Sequence, residues 1–74
     1  MARIDHLEQK DAVRTSIHSP VDATFHVFEA DGVRYLQIDT YGSGERQIMG
    51  KTSQSIQFGE EGLAQLRQIL EKLA

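Results

Sequence analysis

The side chains with the most chemistry to offer lie between positions 34 and 57. They are Arg34, Tyr35, Gln37 and Tyr41, followed by Arg46, Gln47, Lys51, Ser53, Gln54 and Gln57. Aromatic rings stack on bases and cationic side chains meet phosphate. Amides and hydroxyls bond base edges or sugar, so a sheet face of this composition can hold single-stranded nucleic acid. The plainer reading of the same residues is a solvated sheet face whose tyrosines are ordinary cross-strand partners.

Other chemistries have less behind them. Gly50-Lys51-Thr52 looks like the end of a phosphate-binding loop, but Gly44 and Gly50 enclose five residues where that loop needs four. The following Ser-Gln-Ser-Ile-Gln-Phe reads as strand, whereas a phosphate loop must open a helix to aim its backbone N–H groups. His18 and His26 flank a turn with Asp22 nearby, and sheet-surface histidines are a commoner outcome than a metal site. None of the serines sits in a nucleophile elbow, and Glu60 and Glu61 are accounted for as charges at a helix N-terminus. The sequence therefore gives no catalytic residue, no metal and no cofactor, and the chain does not read as an enzyme.

Charge narrows the reading further. The net charge of -3 excludes coating of nucleic acid by bulk electrostatics, which needs clustered Lys and Arg. Its distribution is uneven: across residues 33–58 Arg34, Arg46 and Lys51 outnumber Asp39 and Glu45, while both flanks are acidic. A weak basic patch on an acidic body results. The rival reading uses the acids instead, with Asp5, Glu8, Asp11 and Glu29, or an exposed strand edge, recognising a protein partner.

These residues must be positioned by a small scaffold. The 74 residues make one domain with little room for a core, and there is no cysteine to staple it, so oligomerisation is the expected support. No apolar run approaches the roughly 18 residues of a membrane span, and the N-terminus lacks the apolar core of a signal peptide, which places the protein in the cytoplasm by expectation.

Residues 1–11 read as a flexible or short helical arm, and residues 12–74 as a single β-β-β-β-α domain. Alternation of Val13, Thr15 and Ile17 against Arg14, Ser16 and His18 predicts a first strand over 12–18. Thr24 to Ala30 is the second, with Phe25 and Phe28 on opposite faces. Asp31-Gly32 then predicts a two-residue hairpin turn into a third strand, Val33 to Tyr41. A long strand from Arg46 to Phe58, interrupted near Gly50, follows. Leu63, Leu66, Ile69, Leu70 and Leu73 recur at helical spacing and predict a C-terminal helix packed on one face of an antiparallel meander.

The run from Phe25 to Leu73 resembles the transcriptional positive cofactor family of dimeric single-stranded DNA-binding proteins. Tyr35-Leu36-Gln37-Ile38-Asp39 stands for that family's apolar strand ending in an acid, and Met49-Gly50-Lys51 through Ile56-Gln57-Phe58 for its Gly-Lys strand before the helix. This sequence has two extra residues in the turn, one lysine fewer and no basic tail. The resemblance implies a homodimer that binds single-stranded or distorted DNA, with Leu66, Ile69, Leu70 and Leu73 in the dimer interface. Gln-Ile-Asp-Thr-Tyr-Gly-Ser and Ser-Gln-Ser-Ile-Gln-Phe also resemble a group of short uncharacterised bacterial proteins, some labelled methionyl-tRNA formyltransferase-like. A chain this short has no space for a folate pocket and a tRNA platform, so that activity is set aside.

Overall fold

A computed structural model of the chain describes residues 1–12, 14–42 and 52–73. Its elements are strands β1 (Ala2–Ile4), β2 (Ala23–Ala30), β3 (Val33–Tyr41) and β4 (Thr52–Phe58), then helix α1 (Glu60–Leu73). The sheet order is β1-β4-β3-β2.

The central hairpin follows from its turn. Asp31 and Gly32 have φ of 53° and 77°, the pair of positive values that a two-residue turn matching the strand twist requires. That turn sets the register from Ala30 opposite Val33 to Ala23 opposite Thr40. Strand β4 pairs antiparallel with β3, Phe58 opposite Leu36 and Ile56 opposite Ile38. One step on β3, from Thr40 to Tyr41, answers two steps on β4, from Gln54 to Thr52. Ser53 is therefore the extra residue of a bulge, which resets the alternation of β4 at its start. The expected interruption near Gly50, and the expected strand residues 46–51, lie outside the described residues.

Two expectations for the N-terminal part are overturned. The fourth strand is Ala2–Ile4, which pairs parallel with β4 (Ala2 opposite Ile56, Ile4 opposite Phe58), so the sheet is mixed and not a pure antiparallel meander. No described residue of 12–18 is in a strand, and each is exposed. The physical reason is topological. Ile4 ends at one edge of the sheet, level with Phe58, whereas β2 begins at the other edge, level with Thr40. Residues 5–22 must cross three strand spacings of about 4.8 Å and also run back along the strands, so the alternating stretch has no neighbour to pair with.

Helix α1 lies on the face carrying Ile4, Phe58 and Leu36. Glu60 and Glu61 occupy its first turn and Lys72 its last, as the helix dipole favours. Ile4 fixes its start: the Ile4 carbonyl accepts from Gly59 N at 3.0 Å, and a Cβ placed on Gly62 would collide with that same oxygen. Gln65 adds a two-sided clamp, its Oε1 accepting from Leu7 N at 2.7 Å and its Nε2 donating to Leu7 O at 3.1 Å. The N-terminal arm is thereby tied to both sheet and helix.

The core is small. Among the described apolar side chains only Tyr41 and Phe58 are buried, while Phe25, Val27 and Ile56 on the sheet and Ile69, Leu70 and Leu73 on the helix stay exposed. No helix among the described residues is long and apolar enough to cross a membrane.

Candidate functional site

Strand alternation and the pairing registers sort the site residues by face. Opposite the helix, β3 presents Tyr35, Gln37, Asp39 and Tyr41, flanked by Ser55 and Gln57 of β4, by Thr24, His26 and Phe28 of β2, and by Arg3 of β1. This open polar face is the candidate site.

Its centre is a hydrogen-bonded chain. Ser55 Oγ donates to Asp39 Oδ1 at 2.6 Å, and Gln37 Nε2 donates to the same oxygen at 2.9 Å. Gln57 Nε2 in turn donates to Gln37 Oε1 at 2.9 Å. The carboxylate dictates these directions. Ionised Asp39 can only accept, so Gln37 must turn its NH2 toward it, which leaves the Gln37 carbonyl for the NH2 of Gln57. The hydroxyl of Ser55, then the amide of Gln37, hold the Asp39 carboxyl below its ordinary pKa, and nearby His26 acts in the same sense.

Two aromatic pairs border the chain. Phe28 and Tyr35 stack at a centroid distance of 5.3 Å and 21° between planes, and His26 lies 5.8 Å from Phe28. At the other end, Tyr41 shares a 2.9 Å hydrogen bond between its hydroxyl and Thr24 Oγ1. Among the described residues Arg3 brings a cation to this face: its Nε and Nη2 donate to Asp5 at 3.0 Å, leaving Nη1 without a described partner. Arg3, Gln37, Ser55 and Gln57 line a hollow of about 320 Å³.

The face thus unites Tyr35, Gln37, Tyr41 and Gln57 of the residues predicted for nucleic-acid contact. Three others differ. Arg34 lies on the helix side, opposite Glu29, because it is one residue out of phase with Tyr35. Gln54 shares that side with Ile56 and Phe58, and Ser53 is the bulge residue. Tyr41, expected to stack on bases, is 9% exposed with its hydroxyl engaged, so its ring offers no free platform. Arg46, Gln47 and Lys51 lie outside the described residues. Sequence reasoning missed Arg3, for want of a strand signal in three residues, and passed over Asp39 and Ser55. Counting by twos from Tyr35 and back from Gln57 reaches both.

Among the described residues, no three His, Asp or Glu side chains gather in a way that could hold a metal ion. No protein-family model, curated protein or solved structure matches the chain.

Proposed function

We propose that the protein is a homodimeric module that binds single-stranded or distorted nucleic acid, most simply DNA, on the polar face of its sheet. The observation that carries the reading is the joining of a stacked aromatic pair, Phe28 and Tyr35, to a strip of fixed amides and hydroxyls on a face that the helix leaves open. Aromatic surface holds bases without regard to sequence, and the polar strip bonds their edges. Arg3 contributes positive charge from the edge strand, and the sequence adds Arg46, Gln47 and Lys51 as phosphate and backbone contacts.

The dimer is proposed from the opposite face. Phe25, Val27 and Ile56 leave an apolar stretch of sheet uncovered beside the apolar side of α1, where Leu66, Ile69, Leu70 and Leu73 lie. A second copy burying this surface would supply the support that a 74-residue chain without disulfides lacks.

The rival is a protein-interaction module. Strand β2 is eight residues long and at the edge of the sheet, with no described residue paired to its outer side, and is suited to taking an added strand from a partner. Fluorescence anisotropy of labelled single-stranded DNA, duplex DNA and single-stranded RNA, at low and near-physiological salt, separates the two. The expected result is saturable binding that prefers single strands and weakens as salt rises. Absence of binding even at low salt discards the nucleic-acid reading and leaves the edge strand as the working surface.

A further inference from the structure

The central chain has a polarity, and polarity is what reads a base. With Asp39 Oδ1 occupied by Ser55 and Gln37, Oδ2 accepts no hydrogen bond from any described residue. Beside it, Gln37 Nε2 spends one N–H on Asp39 and keeps the other. The face therefore offers an anionic acceptor next to an amide donor, both held in direction by the chain that runs through Ser55 and Gln57.

We infer that Asp39 and Gln37 select guanine among the bases of a single strand bound to this face. The inference rests on the nucleic-acid reading above and adds a base preference to it. Guanine alone presents two adjacent donors, N1–H and the N2 amine, with the O6 acceptor next to them. Oδ2 of Asp39 has two lone pairs for the donors, and the free N–H of Gln37 suits O6. Thymine and uracil present one N–H between two carbonyls, which a carboxylate repels. Adenine and cytosine offer an amine but set a ring-nitrogen acceptor beside it.

Two features of the surroundings agree. The hollow lined by Arg3, Gln37, Ser55 and Gln57 adjoins the chain, and its volume of about 320 Å³ sits at the lower end of the range for small ligands, enough for one base. Arg3 lines the same hollow, its Nη1 has no partner among the described residues, and Arg is the usual partner of guanine O6 and N7. A carboxylate also repels phosphate, so the sugar–phosphate strand is kept off Asp39 and a base edge is left to approach it.

The test is anisotropy competition on the full chain with single-stranded oligothymidine carrying isolated guanines, compared with unbroken oligothymidine and with the same positions as inosine, which lacks the N2 amine. The expected order is guanine over inosine over thymine, with guanine preferred about fivefold or more. Asp39→Asn removes the anionic acceptor and lets the amides turn around, so guanine and thymine should come to within about twofold of each other, whatever the change in overall affinity. Far-UV circular dichroism checks that the variant folds, and Gln37→Glu, which replaces the donor to O6 by a second anion, should reduce guanine preference independently. Equal binding of guanine and thymine by the unaltered chain overturns the inference while leaving nucleic-acid binding intact. A guanine preference that survives both substitutions also overturns it. Failure to bind any oligonucleotide removes the functional reading itself.

Discussion

The hydroxyl of Tyr41 and Oγ1 of Thr24 lie 2.9 Å apart across β3 and β2, and the Tyr41 ring is one of two buried apolar side chains described in the protein. Next to this contact, Tyr41 N donates to Asp22 O at 3.1 Å, where the incoming chain joins the sheet. The tyrosine is thus a fastening between β3 and the start of β2. Removing only its hydroxyl, with Tyr41→Phe, should cost about 1 kcal/mol of stability, the usual net worth of such a hydrogen bond. Thr24→Val should cost a similar amount, and the double variant less than their sum, because both remove one interaction. Urea unfolding of the four proteins measures this. Fully additive losses would mean that the pair does not act as a unit.

Gly62 is expected to resist even the smallest side chain. Alanine at a helix interior normally gains about 1 kcal/mol over glycine, but here the added Cβ would meet the Ile4 carbonyl oxygen. That oxygen is already held by Gly59 N in the continuation of the β1–β4 ladder, so it cannot move without loosening the strand. Overpacking of this kind costs about 1–3 kcal/mol, which exceeds the propensity gain. Gly62→Ala should therefore lower the melting temperature by several degrees, at about 4–8 °C per kcal/mol for a domain of this size. A rise in melting temperature would show that α1 does not sit against Ile4 in solution.

How much of this was legible follows from the range of each interaction. The hairpin was readable because Asp31-Gly32 carries its own geometry, and the two faces of β3 because its nine residues form one strand whose successive side chains point to opposite faces. Strand β1 was not. Ala2, Arg3 and Ile4 are too few to show a period, and their partner lies more than 50 positions away in β4, in parallel. Residues 12–18 had a strand-like period and no strand to lie beside, which pattern alone does not reveal. Within the site, alternation correctly joined Tyr35, Gln37 and Tyr41. Arg34 and Gln54 were gathered by chemical type against that same alternation, and the bulge at Ser53 was invisible because no glycine or proline marks it. The clamp of Gln65 on Leu7 had no sequence signal either, since a glutamine on a helix looks the same whether solvated or engaged.

The Asp39 chain gives stability a defined dependence on pH. Ser55 and Gln37 hold the folded carboxyl below its ordinary value of 3.8, so the folded state favours the ionised form more than the unfolded chain does. For a depressed acid the contribution is fully present above the unfolded value and is lost as pH falls through the folded one. The stability difference between the unaltered chain and Asp39→Asn should accordingly stay level from neutral pH down to the ordinary carboxylate range and diminish only below 3.8. Urea midpoints of both proteins along an acid series measure it. A difference that begins to change near neutral pH would show that the Asp39 carboxyl does not carry it.

The proposed dimer can be separated from a stable monomer by residues that the single chain leaves open. Phe25 is 73% exposed and Leu70 55% exposed. In a monomer, exchanging such exposed side chains for serine should change stability by no more than about 0.5 kcal/mol. In a dimer that buries them, the same exchanges remove apolar contact worth about 25 cal/mol per Å² and weaken association. The unaltered protein should then sediment as a dimer and unfold at a midpoint that rises with protein concentration, as mass action requires. The Phe25→Ser, Leu70→Ser double variant should sediment as a monomer with a concentration-independent midpoint. A single chain in sedimentation at every concentration, with a midpoint indifferent to dilution, would leave the apolar face without a second copy to cover it and sink the homodimer.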